Sequence, residues 1–192
     1  MKTPWCLLLM ALLMAMAGAA QTETPQADVE RQLDDVARIA SVMVDGDVCK
    51  RIVTPRALDA MIKVNPRDRW ASADNSDVDH TAYLQTKKTL MRLARLAPFQ
   101  CDVNLWMPLP QNRVHIVIRN QNEISQFWTW GALYQEMFPP MKEVLGTGRR
   151  MIVKQKPGYI SVLAPVNDSL GDIVGLVEVV AQTRPDTHEN VK

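Results

Sequence analysis

The apolar residues of this chain recur every three or four positions up to about residue 96, and every second position from Phe99. That change of period constrains the fold more than any other feature. Val29, Leu33, Val36, Ala40 and Met43 mark one face of a helix, which Asp45-Gly46-Asp47 interrupts or ends. Thr54-Pro55 reads as an N-cap with proline at the first helical position, and Leu58, Met61 and Ile62 continue until Asn65-Pro66. Residues 65–79, polar around Trp70, read as a loop. A helix from about His80 to Leu96 follows, with Tyr83, Leu90 and Ala94 on one side and Lys88, Arg92 and Arg95 as a solvated basic stripe.

Beyond Phe99, Cys101, Val103, Leu105 and Met107 alternate with Asp102, Asn104 and Trp106, and Val114, Ile116 and Ile118 alternate with Arg113, His115, Val117 and Arg119. Two alternating runs joined by Pro108 to Asn112 predict a β-hairpin. Residues 123–145 regain helical character and concentrate the aromatic residues, with Pro139-Pro140 expected to break the helix. Met151 to Lys154, Tyr159 to Val166 and Ile173 to Ala181 predict three strands, parted by Pro157-Gly158 and by Asn167 to Asp172. Helices first, a hairpin, a helical insert and three closely connected strands predict an α+β domain on an antiparallel sheet.

The N-terminus predicts the address. Lys2, the apolar run Leu7 to Ala17 and the small residues Ala17-Gly18-Ala19-Ala20 form a signal peptide over 1–20, cleaved after Ala19 or Ala20. The run is shorter than the roughly 20 apolar residues of a membrane span. Periplasmic or secreted localisation is therefore expected, with a polar linker at 21–27, one domain over 28–182 and a disordered tail at 183–192. Losing Lys2 from the 22 Lys and Arg leaves 21 basic against 21 acidic side chains. A neutral chain has no bulk attraction for nucleic acid.

Without Cys6 the mature chain keeps Cys49 and Cys101. In an oxidising compartment the simplest expectation is that they pair, with stabilisation of order ~4 kcal/mol for the loop so closed. A metal pair or a thiol nucleophile is the alternative, but His80, His115 and His188 are scattered and the spacing is not CxxC. No GxSxG, HExxH, GxxxxGK[ST] or GxGxxG occurs, and Gly146-Thr147-Gly148-Arg149-Arg150 reads as a turn. No catalytic residue, cofactor or metal is expected.

The run Tyr159-Ile160-Ser161-Val162-Leu163-Ala164-Pro165-Val166-Asn167-Asp168, followed by Gly171, Ile173, Val174, Gly175 and Val177, resembles the closing hairpin of the extracytoplasmic PAS-like sensor domains called Cache domains. The resemblance covers 28–182 in element order and 159–180 in motif. It implies an antiparallel sheet of about five strands, with a long N-terminal helix on one face and a helical insert on the other. It also implies a small-molecule ligand and signal transduction. With no further apolar stretch long enough to span a bilayer, a free-standing version is expected, passing its signal to a membrane receptor or sensor kinase. The family's amino-acid-binding pattern of Arg, Trp, Tyr and Asp does not align with this chain, so no residue role is carried across.

On such a scaffold the face turned from the N-terminal helix carries Asp102, Asn104 and Trp106. Arg113, His115 and Arg119 are expected on the neighbouring strand, Asn104 opposite His115 and Trp106 opposite Arg113. Trp128, Trp130 and Tyr134 of the insert would cover this face, with Tyr159 and Ser161 reaching it from a later strand. A few polar groups among aromatics line small-molecule pockets, and Arg113 or Arg119 could hold a carboxylate with two hydrogen bonds. The plainer readings are a wet strand face for Arg113 and His115, core packing for Trp128 and Trp130, and a cation–π pair for Trp106 with Arg113. Three functions stay open: a non-catalytic sensor domain for a small, anionic organic ligand, a protein-interaction module of a membrane receptor, and an enzyme of cystatin-like fold. A cavity lined by Trp106, Arg119 and Tyr134 favours the first, and a filled core beside exposed apolar residues the second. A deep ionisable pair in a cone favours the third.

Overall fold

The computed structural model describes residues 26–63, 78–129 and 134–183. The leader, most of the loop around Trp70, Trp130 and the polar tail after Thr183 lie outside the described residues. The chain folds into an α+β structure with five helices among those residues: α1 (Gln26–Met43), α2 (Gly46–Ile52), α3 (Pro55–Lys63), α4 (His80–Ala94) and α5 (Pro139–Thr147). The strands are β1 (Cys101–Leu109), β2 (Arg113–Ile118), β3 (Gln135–Glu136), β4 (Met151–Val153), β5 (Tyr159–Asn167) and β6 (Ile173–Gln182). They form one antiparallel sheet in the order β3-β2-β1-β6-β5-β4.

Local chemistry sets the helix ends. The Asp45 carboxylate accepts from the N–H groups of Asp47 and Val48, which turns the predicted interruption into the cap of α2. Thr54 Oγ1 accepts from Ala57 N at 3.1 Å ahead of Pro55, as its sequence predicts, and Asp79 caps α4 through Ala82 N. The helix expected across 123–145 is the main correction. Residues 119–129 are irregular, β3 is two residues long, and Pro139-Pro140 begin a helix instead of breaking one. Proline at the first positions of a helix forfeits no intrahelical bond, because those N–H groups have no partner there anyway.

The sheet separates two cores. On one face Leu33, Val36 and Ala37 of α1, Ile52 of α2 and Leu90 of α4 pack on Val103, Leu105, Ile160, Val162, Val177 and Val179. On the other, Trp106, Val114, Ile116, Leu163 and Leu176 meet Phe127, Met137 and the α5 residues Met141 and Val144. The β5–β6 turn is built by Asp168, whose Oδ1 accepts from Leu170 N and Asp172 N while Oδ2 accepts from Lys50 Nζ at 2.8 Å. The hydrogen bond from Lys50 holds the Asp168 carboxyl below its usual range. Gly171 supplies φ of 89° in this turn, and a Cβ on Gly175 would sit 3.0 Å from the carbonyl oxygen of Trp106. Both glycines of the 159–180 motif thus have a backbone reason.

The expected disulfide is not formed: Cys49 and Cys101 are free, buried thiols. Cys49 is hydrogen-bonded with Thr86, and Cys101 Sγ donates to the Ala94 carbonyl at 3.2 Å. These partners lie eight positions apart on α4, or ~12 Å of helix rise, against the roughly 4.4–6.8 Å between Cα atoms that a disulfide needs. Burial pushes both thiols up to about 12, the state of inert core cysteines.

Candidate functional site

Hairpin register decides which sequence candidates meet. Gln111 and Asn112 both take positive φ in the β1–β2 turn, so the pairs are Leu109↔Arg113, Met107↔His115 and Trp106↔Ile116. Directly paired residues share a face, so Arg113 and His115 turn toward the helical layer and do not flank Trp106. The expected pairs Asn104–His115 and Trp106–Arg113 are therefore corrected: they run an odd three positions out of register with a turn centred at Gln111, which exchanges the two faces of β2. A bulge between Leu105 and Trp106 then restores Ile118 opposite Leu105.

The candidates consequently fall into separate groups. Arg113 Nη1 donates to Tyr134 Oη at 2.7 Å and stacks on that ring, beside Met61 of α3 and Leu109. His115 is buried. Across the sheet, Trp106 and Ser161 are fully buried, Trp128 is half-buried, and the Arg119 guanidinium lies 4.3 Å from the Trp128 ring centroid. Tyr159 sits under Lys156 Nζ at 4.0 Å, and Trp130 lies outside the described residues. On the face bearing Trp106, Phe127 meets that ring edge-on at 6.4 Å, and Phe138 lies tilted against Phe127 at 5.1 Å.

What does cross this face is a strap, residues 119–128, tied down by buried polar side chains. Glu178 of β6 has no exposed surface and accepts five hydrogen bonds. Its Oε2 accepts from Ser125 Oγ at 2.7 Å, Trp106 Nε1 at 3.0 Å and Asn104 Nδ2 at 3.4 Å. Its Oε1 accepts from Gln126 N at 2.9 Å and Ser161 Oγ at 3.0 Å. Asp102 accepts from Ile124 N and Asn122 Nδ2, both at 2.8 Å. Asn104 links the two acids, accepting from Asn120 N and donating to the Ile124 carbonyl. Gln126 extends the ties to the far edge, donating to Val153 O and accepting from Gln155 N and Lys156 N.

Burial pushes the Glu178 carboxyl above its usual range, against hydrogen bonds from Ser125, Gln126, Trp106 and Ser161 that pull it down. Burial also raises Asp102, opposed by the bonds from Ile124 and Asn122. With the strap in place no substrate can reach either acid, and no group of three or more His, Cys, Asp or Glu could hold a metal among the described residues.

Sequence reasoning named Trp106 and Ser161 but missed Glu178, to which both are bonded. The signal was present: a single acid inside the apolar run Ile173–Ala181, where an unpaired charge is costly. Ser125 and Gln126 carried no such mark. Two surface concavities lie among the described residues. One of about 550 Å³ lies between the end of α4 and strap residues 120–122, with Arg95 and Gln100 on its wall. The other, about 510 Å³, is lined by Asp34, Ser41, Arg149, Arg150 and Asn167. No protein-family model matches this chain, and no curated protein matches it.

Proposed function

We propose that the chain is an exported, non-catalytic sensor-type domain of the Cache, PAS-like kind that binds a small anionic organic ligand at the outer edge of the strap. The observation that carries this reading is Arg119, stacked on Trp128 while its side chain stays 37% exposed. A guanidinium held over a ring and open to water can act as a fork for a carboxylate. Its partner Glu123, at 3.4 Å and itself 57% exposed, contributes little and is readily displaced by an incoming anion. The long α1 on one face, the strap and α5 on the other, and three antiparallel strands at the end support the family reading. The 1–20 leader supports a periplasmic or secreted location, where a membrane receptor or sensor kinase would take the signal.

Thermal unfolding of residues 21–192 against a panel of amino acids, organic acids, amines and purines tests the reading. A ligand at about a hundred times its Kd adds about 2.7 kcal/mol, a shift of a few degrees. The expected result is a saturable shift with a carboxylate-bearing compound that Arg119→Ala abolishes while Arg113→Ala leaves it. A second reading, a protein-interaction module, is favoured by the filled space around Trp106 and by Val42 and Leu170, 80% and 83% exposed. No shift with any compound, from a cooperatively folded protein, decides for that module.

A further inference from the structure

The strap is held to the sheet through Asp102, Asn104 and Glu178, and the hydrogen-bond inventory of the Glu178 carboxyl group constrains its protonation. Ser125 Oγ already accepts from Phe127 N and Trp128 N, both at 3.1 Å, so its own proton points to Glu178 Oε2. Trp106 Nε1 and Gln126 N can only donate. Ser161 is the exception. Its hydroxyl can accept as well as donate, and it faces Oε1 at 3.0 Å. A proton on Oε1 aimed at Ser161 leaves the other four bonds intact. The sacrifice is one hydroxyl donor bond, a small loss beside a carboxylate with no cation partner and no exposed surface.

We propose that strap closure and proton binding at Glu178 are one equilibrium: with residues 119–128 in place Glu178 is a neutral carboxyl group, and release of the strap releases its proton. Among the described residues no cation bonds this carboxyl group. On the same face, β5 presents Ser161 and Leu163, β4 presents Val153, β2 presents Val114 and Ile116, and α5 turns Met141 and Val144 inward with Lys142 and Glu143 exposed. The neighbouring strand β1 carries Asp102, and the strap itself carries Arg119 and Glu123, which bridge each other at 3.4 Å. Arg95 of α4 stands in the concavity beside residues 120–122. Asp102 and Glu123 are acids, so their charge disfavours ionisation of a neighbouring carboxyl.

The sign follows from where the proton is held more tightly. A raised carboxyl in the closed state binds its proton more tightly than the same group facing water. Closure is therefore fully favoured below the ordinary glutamate value of 4.5 and is lost as pH rises through the closed-state value. In that window the open fraction grows about tenfold per pH unit for one proton released. Opening would also part Arg119 from Trp128, since Trp128 N is tied to Ser125, so external pH would tune the edge proposed above as a ligand site. The proton equilibrium itself does not require that ligand.

Two measurements on residues 21–192 test this. Infrared difference spectroscopy at neutral pH should show the carbonyl band of a neutral carboxyl group that Glu178→Gln removes. Amide exchange of Gln126, corrected for hydroxide catalysis, should accelerate about tenfold per pH unit above pH ~5 in the wild type. Glu178→Gln, whose NH2 cannot accept from Gln126 N, should abolish the steep pH dependence of strap exchange whatever its level, and Asp102→Asn should leave the steep rise in place. The idea is overturned by an ionised Glu178 at neutral pH, by faster exchange on acidification, or by a Gln variant that keeps the steep rise. The pH profile of wild-type exchange is read without any variant.

Discussion

The two faces of the β1–β6–β5 sheet hold their covering elements by different physics. The helical side is mainly apolar: α1, α2 and α4 set Leu33, Val36, Ile52 and Leu90 against valines, leucines and isoleucines of the strands. Such contacts are non-directional, and their energy follows the area removed from water. The strap side mixes an aromatic cluster with a line of Asp102, Asn104 and Glu178 that bonds a stretch without regular structure. Hydrogen bonds are directional and modest in net energy, but costly when a buried group is left unpaired. The helical side therefore supplies most of the stability, and the strap side specifies one position for residues 119–128.

That contrast can be broken at either end. The largest effect is expected from Leu33→Ala, which removes a fully buried side chain from the apolar side. It should cost about 2–5 kcal/mol in denaturant unfolding, with exchange at Gln126 accelerating only as far as global unfolding requires. A loss below ~1 kcal/mol would deny the helical side its dominance. Trp106→Phe keeps a ring but deletes the donor to Glu178. It should cost about 1–3 kcal/mol and accelerate strap exchange more than global stability predicts. Proportional changes in both would merge the two sides into one cooperative unit. The smallest effect belongs to Arg150 and Asp34, which join the β4 side to α1 through half-exposed groups at 2.9 Å. A double-mutant cycle should return about 0.2–1 kcal/mol, shrinking with salt.

The difference between the faces also explains what could be read in advance. Periodicity exposed α1, the cap and proline of α3, the body of α4 and all the long strands, because each buries one side and a repeating pattern records it. It failed over 123–145. Aromatic density there mimics a helix, but Phe127, Trp128 and Phe138 fill the space over Trp106 from irregular backbone. Among the candidate residues, Trp106, Ser161, Arg119 and Trp128 share the strap face. Arg113 and His115 were lost to a register set by Gln111 and Asn112, two non-glycine residues at positive φ that composition does not announce.

From its sequence alone this protein is an α+β chain with helices before strands, a hairpin after Phe99 and a turn at Asn167 to Asp172. Each of these rests on local patterns, and local patterns are written in neighbouring residues. The tertiary structure decided the rest: which face His115 took, which thiols stayed apart, and that Ser125, Gln126, Ser161 and Trp106 converge on Glu178. Those bonds join residues 17 to 72 positions apart. No short-range rule encodes such distances, because only the register and packing of the whole sheet bring the partners within reach.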